Sequence, residues 1–599
     1  MGDFYFFYPR RQLNSALTYN AFIAQPNRMP ARSEVGIERI SDTRNLLTVH
    51  APMTDSGSLY VPYADSEGCF FFASTTTLPS SSEPFSLFLE LSRAQLSRLL
   101  QKQADWRALG FHLPRTFRNA IRKHVSRFAK LATSDRDTSS FDSQGTNLFE
   151  SLYNLSKRVN EQFLNKVLAA RRNLAHPWPT RFGFSTTFDE SWLKPYDETF
   201  GLRNEGRKRP KISPLFQSIN LNFAWSDIEK EEGVYDWTQF DAALNLASSR
   251  GLHTTIGPLV RWGEHAPYHV RGKTTRELNE AFRRYVDALV LRDGGRSKRW
   301  IVATNVEGSV VRPQFETRLT LAAQSAFVIK ARYPKTQVFL GFEQPFGDAG
   351  RYSQQEMNPF ELAFRIVRKN VFDGFYLELN FGFSREATVP RDVMETHSFF
   401  DRWCGMGVPL CLAVSCPSAH SESLDRSEST TNIPYKLDEE SSEREQEDAR
   451  SKFQWSSSSV KAIESQLWDE KKQRETIRRF LSSALSRRCV DEILWTRWAD
   501  IPNTYEDEQT QKSLDAAPTP MNCCLERQDG GAEIALNDDT ELELLEPTDA
   551  LLNDFSESSE GSYALRDGSH FPQSGLFDEH HAPKSTLHKL AALRRAYLD

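Results

Sequence analysis

The chain reads as an α/β protein, a (β/α)8 barrel preceded by a small β-rich domain and a helical connector. Three observations predict this. Between residues 181 and 500 eight strand-like runs alternate with helical tracts, the count of such a barrel. Residues 215–262 hold two of those runs around one amphipathic helix; this βαβ crossover makes its strands parallel, and parallel sheets need helices over them. The first hundred residues differ in kind, with short runs such as SLYVPY, GCFFFAST and PFSLFLEL broken by Ser, Gly, Asp and Pro.

A length of 599 residues has room for two to four domains, of which a barrel would take about 250 residues plus insertions. The expected division is a sandwich-like β domain over 1–100, a helical connector over 101–177 and the barrel over 178–599. The connector is predicted from LELSRAQLSRLLQKQADW, apolar on one helical face, and from a second helical tract at 147–172, with TSDRDTSSFDSQGT as a linker between them.

Within the barrel, RFGFSTT is the first strand and LFQSINLNFAW and GLHTTIGPLVRW are the second and third. Between these two, Asp236 reads as an N-cap, Phe240, Ala243, Leu244 and Ala247 share one helical face, and Gly251 is the stop. Strands four to eight are expected at 299–309, 336–348, 372–382, 408–418 and 491–500. The intervening helices are expected at 275–291, 316–333, 359–370, 391–405 and 460–488.

The formal net charge of −6 is unevenly spread. Residues 419–450 carry 10 acidic and 4 basic side chains, and residues 503–570 carry 17 and 3, which leaves the remainder at +14. Both acidic tracts fall where a barrel tolerates insertions and are expected to be flexible. The Lys and Arg elsewhere are scattered, so a nucleic-acid partner is disfavoured. No run of 18 apolar residues and no cleavable leader is visible, and a soluble cytoplasmic protein is expected. Seven cysteines without metal-type spacing (Cys69, Cys404, Cys411, Cys416, Cys489, Cys523, Cys524) read as reduced thiols. No metal or cofactor site is expected, and His580 and His581 read as solvated.

The tract W-S-D-I-E-K-E-E-G-V-Y-D-W after the second strand resembles that of glycoside hydrolase family 10, the xylanase family. The closing SGLFDEHHAPKSTLHKL is similar to the end of that family. The order of β module, helical tract and barrel resembles a barrel-containing group from planctomycete-type bacteria. The family resemblance implies a site at the carboxyl ends of the strands, a xylan-like polysaccharide as substrate, and retaining hydrolysis by two carboxyl groups on strands four and seven.

The catalytic positions depart from the family's pattern. Its W-x-V-x-N-E becomes W-I-V-A-T-N-V-E, with Asn305 at the acid/base position and Glu307 two residues on, expected on the same side of an extended segment. On strand seven its T-E-L-D becomes Ala413, Val414, Ser415, Cys416, with Val414 at the nucleophile position. Glu343, Glu378 and Glu264 are candidate substitutes, each weighed against an acid paired with an Arg in the barrel mouth. The candidate catalytic set is thus Glu307, Glu343 and Glu378.

The sugar-holding set implied by the resemblance is Asn220, Asn222, Trp225, Arg261, Trp262, Asn305, Trp495 and Trp498, suited to stacking and to hydrogen-bonding hydroxyls. Trp262 and Trp498 read equally as core. The resulting function is a divergent glycosidase acting on a saccharide or polysaccharide with relocated acids. The alternatives are an inactive saccharide-binding barrel, or a scaffold that uses its acidic loops.

Overall fold

The computed structural model describes residues 2–10, 12–13, 15–52, 54–135, 140–174, 178–186, 215–262, 267–270, 273–307, 314–351, 357–382, 387–418, 468–498, 500, 573–578 and 582–598. The acidic tracts at 419–450 and 503–570, Glu264, Cys523, Cys524, His580 and His581 lie outside these residues.

The first part of the chain forms two sheets. Strands β1 (Gly2–Pro9), β3 (Glu34–Arg39), β4 (Arg44–Ala51) and β8 (Phe85–Ser86) lie in the order β3-β4-β1-β8. The other sheet is β2 (Phe22–Ala24), β5 (Ser56–Ala64) and β6 (Phe70–Ser74), with β7 (Leu78–Pro79) paired to β5. Along β1, burial alternates residue by residue, placing Phe4, Phe6 and Tyr8 inward. They share a core with Leu59, Val61 and Tyr63 of β5 and with Phe88, Phe149 and Tyr153 of the helices that follow.

Those helices run over Leu87–Ala108, Arg115–Ala132 and Phe141–Arg172. The middle one was not expected from the sequence. Its apolar stripe, Phe117, Ala120, Ile121, Phe128 and Leu131, has helical spacing and was overlooked, although only Ile121 and Leu131 of its 18 residues are buried. The third starts earlier than the expected 147, because Phe141 is buried at its first turn.

Eight parallel strands then close into a barrel in the order β10-β13-β14-β15-β16-β17-β18-β9. They are β9 (Arg181–Thr186), β10 (Ser218–Leu221), β13 (His253–Ile256), β14 (Arg299–Ile301), β15 (Gln337–Phe342), β16 (Gly374–Asn380), β17 (Leu410–Ser415) and β18 (Val490–Trp495). The eight-strand count of the sequence is that of the structure. A short hairpin, β11 (Glu229–Glu231) with β12 (Val234–Tyr235), follows the second barrel strand.

Alternation along each strand separates two apolar regions. Leu410, Leu412 and Val414 of β17 face the surrounding helices, whereas Cys411 and Ala413 point inside with Ile301, Phe339, Tyr376 and Leu494. The interior is tight: a Cβ on Gly183 would meet Ser218 Oγ at 2.2 Å. At the amino-terminal end of the strands Arg299 is fully buried, ion-paired with Glu492 and Asp491, and lies 4.3 Å from the Phe339 ring centroid. Burial alone would raise the Glu492 carboxyl, but Arg299, with His253 and Ser218, holds it below the usual range.

The helix between β10 and β13 spans Thr238–Ser249, with Trp237 at the N-cap. Asp236, expected as the N-cap, lies one residue before it, its Oδ1 accepting from the Thr238 amide at 3.0 Å. Gly251 follows the helix in the left-handed region, φ 65°. The helix at Thr275–Asp293 has a complete capping box between Thr274 and Glu277.

Reduced thiols are corrected at Cys404 and Cys489, which form a disulfide with Cα atoms 5.6 Å apart. The helix Val393–Cys404 ends beside the segment leading into β18, a contact across 85 residues that spacing does not reveal. Cys69, Cys411 and Cys416 are free and buried. Among the described residues no helix is long and apolar enough to cross a membrane.

Candidate functional site

The mouth of the barrel is organised by one cation. Arg261, just beyond β13, sends its guanidinium across the carboxyl ends of β15 and β16. Nη1 and Nη2 donate to Glu378 Oε2 and Oε1 at 2.9 and 2.7 Å, a two-pronged pair, and Nη1 also donates to Glu343 Oε1. Arg261 and Glu378 are almost wholly buried. Period-two geometry places Glu378 there: Tyr376 points into the barrel core one level below, and Asn380 points inward one level above.

Glu307 lies beside this pair. Its Oε1 accepts from the Glu343 amide at 3.3 Å, and its Oε2 is buried without a hydrogen-bond partner. Burial pushes its carboxyl up to about 7; backbone donors at Glu307 and Glu343 and the charge of Arg318 oppose this, while Glu378 adds to it. Arg318 also holds the loop, its Nε donating to the Val306 carbonyl at 3.0 Å.

A pH-dependent cost follows. Below pH 4.5 Glu307 is protonated whether the chain is folded or not; from there to about 7 only the unfolded chain ionises, so stability falls, and above 7 the penalty is constant. Glu307→Gln is therefore expected to stabilise the protein at pH 8 by on the order of 3 kcal/mol and to do little at pH 4. Denaturant titration at the two pH values checks this, and an equal change at both would contradict it.

Asn305 and Glu307 do not point the same way. Asn305 has φ 55°, so the segment beyond β14 is not extended and period-two reasoning fails there. The Asn305 amide donates to the Trp262 carbonyl at 3.0 Å on the β13 side, whereas Glu307 meets Glu343 on the β15 side. Val414 is also corrected as a mouth position, because it faces the helices. The side chain turned inward near it is Ser415, which donates to Asn380 Oδ1 at 2.6 Å.

The four tryptophans give their faces to protein. Trp225 is fully buried, stacks on Tyr285 at 5.3 Å between centroids, and donates from Nε1 to Glu229 Oε2 at 2.6 Å. Glu229 Oε1 in turn accepts from the amide of Gly233, whose φ of 77° makes the turn of the β11–β12 hairpin. Trp262 packs on Phe282, Trp495 donates to the Ser574 carbonyl, and Trp498 lies among Phe184, Phe216 and Phe577. Stacking by these rings on a sugar is corrected accordingly, since all four are buried.

The polar lining consists of shorter side chains. Asn220 donates to Ser185 Oγ at 3.2 Å and leaves its Oδ1 buried and unpartnered. Asn222, Thr304, Asn380 and Arg497 are buried at or near the same end. Asn380 and Ser415 were missed in the sequence, although alternation from Glu378 along β16 and its pairing with β17 brings them inward. Among the described residues no His, Cys, Asp and Glu group has a metal-binding arrangement.

The closed parallel barrel defines a (β/α)8 protein with its polar cluster at the carboxyl ends of the strands. Solved structures similar to it include native xylanase 10B from Thermotoga maritima, at 12% identity over 72% of this chain and 97% of that one, TM-score 0.41. Xylanase 10C from Cellvibrio japonicus in complex with xylopentaose has 10% identity over 71% and 68%, TM-score 0.41. A GH10 protein from Paenibacillus barcinonensis has 14% identity over 72% and 98%, TM-score 0.39. No protein-family model and no curated protein matches the sequence. At these identities the likeness concerns the barrel fold alone.

Proposed function

We propose that this chain is a saccharide-recognising barrel in which the hydrolytic centre is closed by an ion pair. The observation that carries this reading is the Arg261 clamp. Retaining hydrolysis requires one carboxylate free to attack and a second that delivers a proton. Here both oxygens of Glu378 sit in the guanidinium fork and Glu343 shares Nη1. At the level of β17 the inward group is the Ser415 hydroxyl, already donated to Asn380.

The saccharide part of the reading is supported by the motif resemblance to the xylanase family and by the inward amides and hydroxyls at the mouth, groups that hydrogen-bond sugar hydroxyls. A glycan-array screen with parallel reducing-sugar detection tests it. The expected result is retention of a neutral oligosaccharide with no release of reducing ends. An array without any retained glycan contradicts the reading.

One observation favours a second reading, residual glycosidase activity. Glu307, raised to about 7, stands beside the ion-paired Glu378, and a protonated acid next to a charged one is the division of roles that glycosidases use. Under that reading Glu307→Gln lowers the hydrolytic rate by about 10²–10⁴-fold.

A further inference from the structure

A second polar site lies away from the barrel mouth, where the amino-terminal sheets meet the barrel. A narrow, partly open cleft there is lined by Arg28, Tyr60, Phe346, Arg391, Glu395 and Arg402, among others. Two of its charged groups are engaged. Arg391 is ion-paired with Asp348 and lies within 5.8 Å of the ring centroids of Phe22, Tyr60 and Phe346. Glu395 Oε1 accepts from Tyr60 at 2.9 Å and Ser74 at 2.8 Å and faces Arg98 at 3.7 Å, while Oε2 is buried without a partner.

Arg28 and Arg402 differ from these. Neither forms an ion pair with a carboxylate among the described residues. Arg402 lies 4.3 Å from the Phe360 ring centroid; burial first, then the charge of Arg28, pulls its guanidinium down to about 10, with Tyr60 and Glu361 opposing. Arg28 is exposed and Arg402 partly buried; their like charges oppose each other across the cleft lining, and an anion bound there removes that repulsion.

The backbone holds the pair in place. Arg28 has φ 69°, a conformation that glycine adopts at lower cost. Its turn closes through the Arg28 amide on the Gln25 carbonyl at 2.7 Å and is tied to the barrel by Asn358 Nδ2 on the Asn27 carbonyl at 3.2 Å.

We propose that this cleft binds a small hydroxylated molecule carrying one oxyanion, a sugar acid or a sugar phosphate. Arg28 and Arg402 take the oxyanion, since planar guanidinium forks match carboxylate and phosphate oxygens. The orphaned Glu395 Oε2 accepts from a hydroxyl, while the Phe346 ring, stacked on Phe399 at 4.2 Å between centroids and covered by Arg391, serves as a wall of the cleft. The site is separate from the barrel mouth and stands whether or not the mouth binds a saccharide.

The test is calorimetric titration of the full chain at low salt with D-glucuronate, D-glucose 6-phosphate, D-glucose and inorganic phosphate. At least one of the two sugar anions is expected to bind about tenfold or more tightly than glucose, and Arg28→Gly and Arg402→Met each to weaken it by about tenfold or more. Binding of glucuronate alone identifies a carboxylate ligand, and binding of glucose 6-phosphate alone a phosphate. The ligand-free Tm of both variants is expected to be unchanged or higher, because glycine suits the Arg28 turn and either change removes one of two repelling charges. Binding by neither sugar anion, binding that survives both substitutions, or inorganic phosphate binding as tightly as the sugar phosphate would overturn the proposal.

Discussion

Arg261→Met is expected to cost about 3–5 kcal/mol of stability at pH 7.5, the usual penalty for removing one partner of a buried ion pair. The guanidinium neutralises two carboxylates at once, and Glu378 is left almost wholly buried once it is gone. Adding Glu343→Gln and Glu378→Gln to Arg261→Met should restore most of the loss, since a neutral set needs no counter-charge. Denaturant midpoints read both outcomes. A loss below about 1 kcal/mol at pH 7.5, the scale of a surface pair, would show that Arg261 does not organise the mouth.

Trp225→Ala is expected to cost about 3–5 kcal/mol, the range for deleting a fully buried large aromatic. Its ring contacts Tyr285 and Phe282, and its Nε1–H satisfies Glu229. Removing it opens a void between β10 and the Thr275–Asp293 helix and leaves a buried carboxylate oxygen short of a donor. Thermal and denaturant unfolding measure the effect. A change confined to saccharide affinity, with stability intact, would instead place Trp225 in a binding surface.

The barrel was legible in the sequence because eight buried strands separated by amphipathic helices leave a strong periodic signal. The helix Arg115–Ala132 was legible too, from Phe117, Ala120, Ile121, Phe128 and Leu131 at helical spacing, but was passed over among its many basic residues. The site was half legible. Glu343 and Glu378 could be weighed as acids paired with an arginine, but their sharing of Arg261 is a contact over 82 and 117 residues that no local pattern encodes. Asn305 misled the reading of Glu307 because one left-handed residue reverses the direction that alternation predicts. Trp225, Glu229 and Gly233, part of the tract that carries the family resemblance, interlock as a scaffold for the hairpin rather than as a substrate platform.

The central claim is that the Arg261 ion pair leaves the mouth without a working pair of acids. Prolonged incubation with xylo-oligosaccharides and an aryl xyloside from pH 5 to 8, wild type beside Glu307→Gln, tests it most directly. The predicted result is product formation indistinguishable from buffer in both proteins at every pH. Turnover by the wild type that falls by about 10²-fold or more in Glu307→Gln would contradict the claim and assign Glu307 as a working acid.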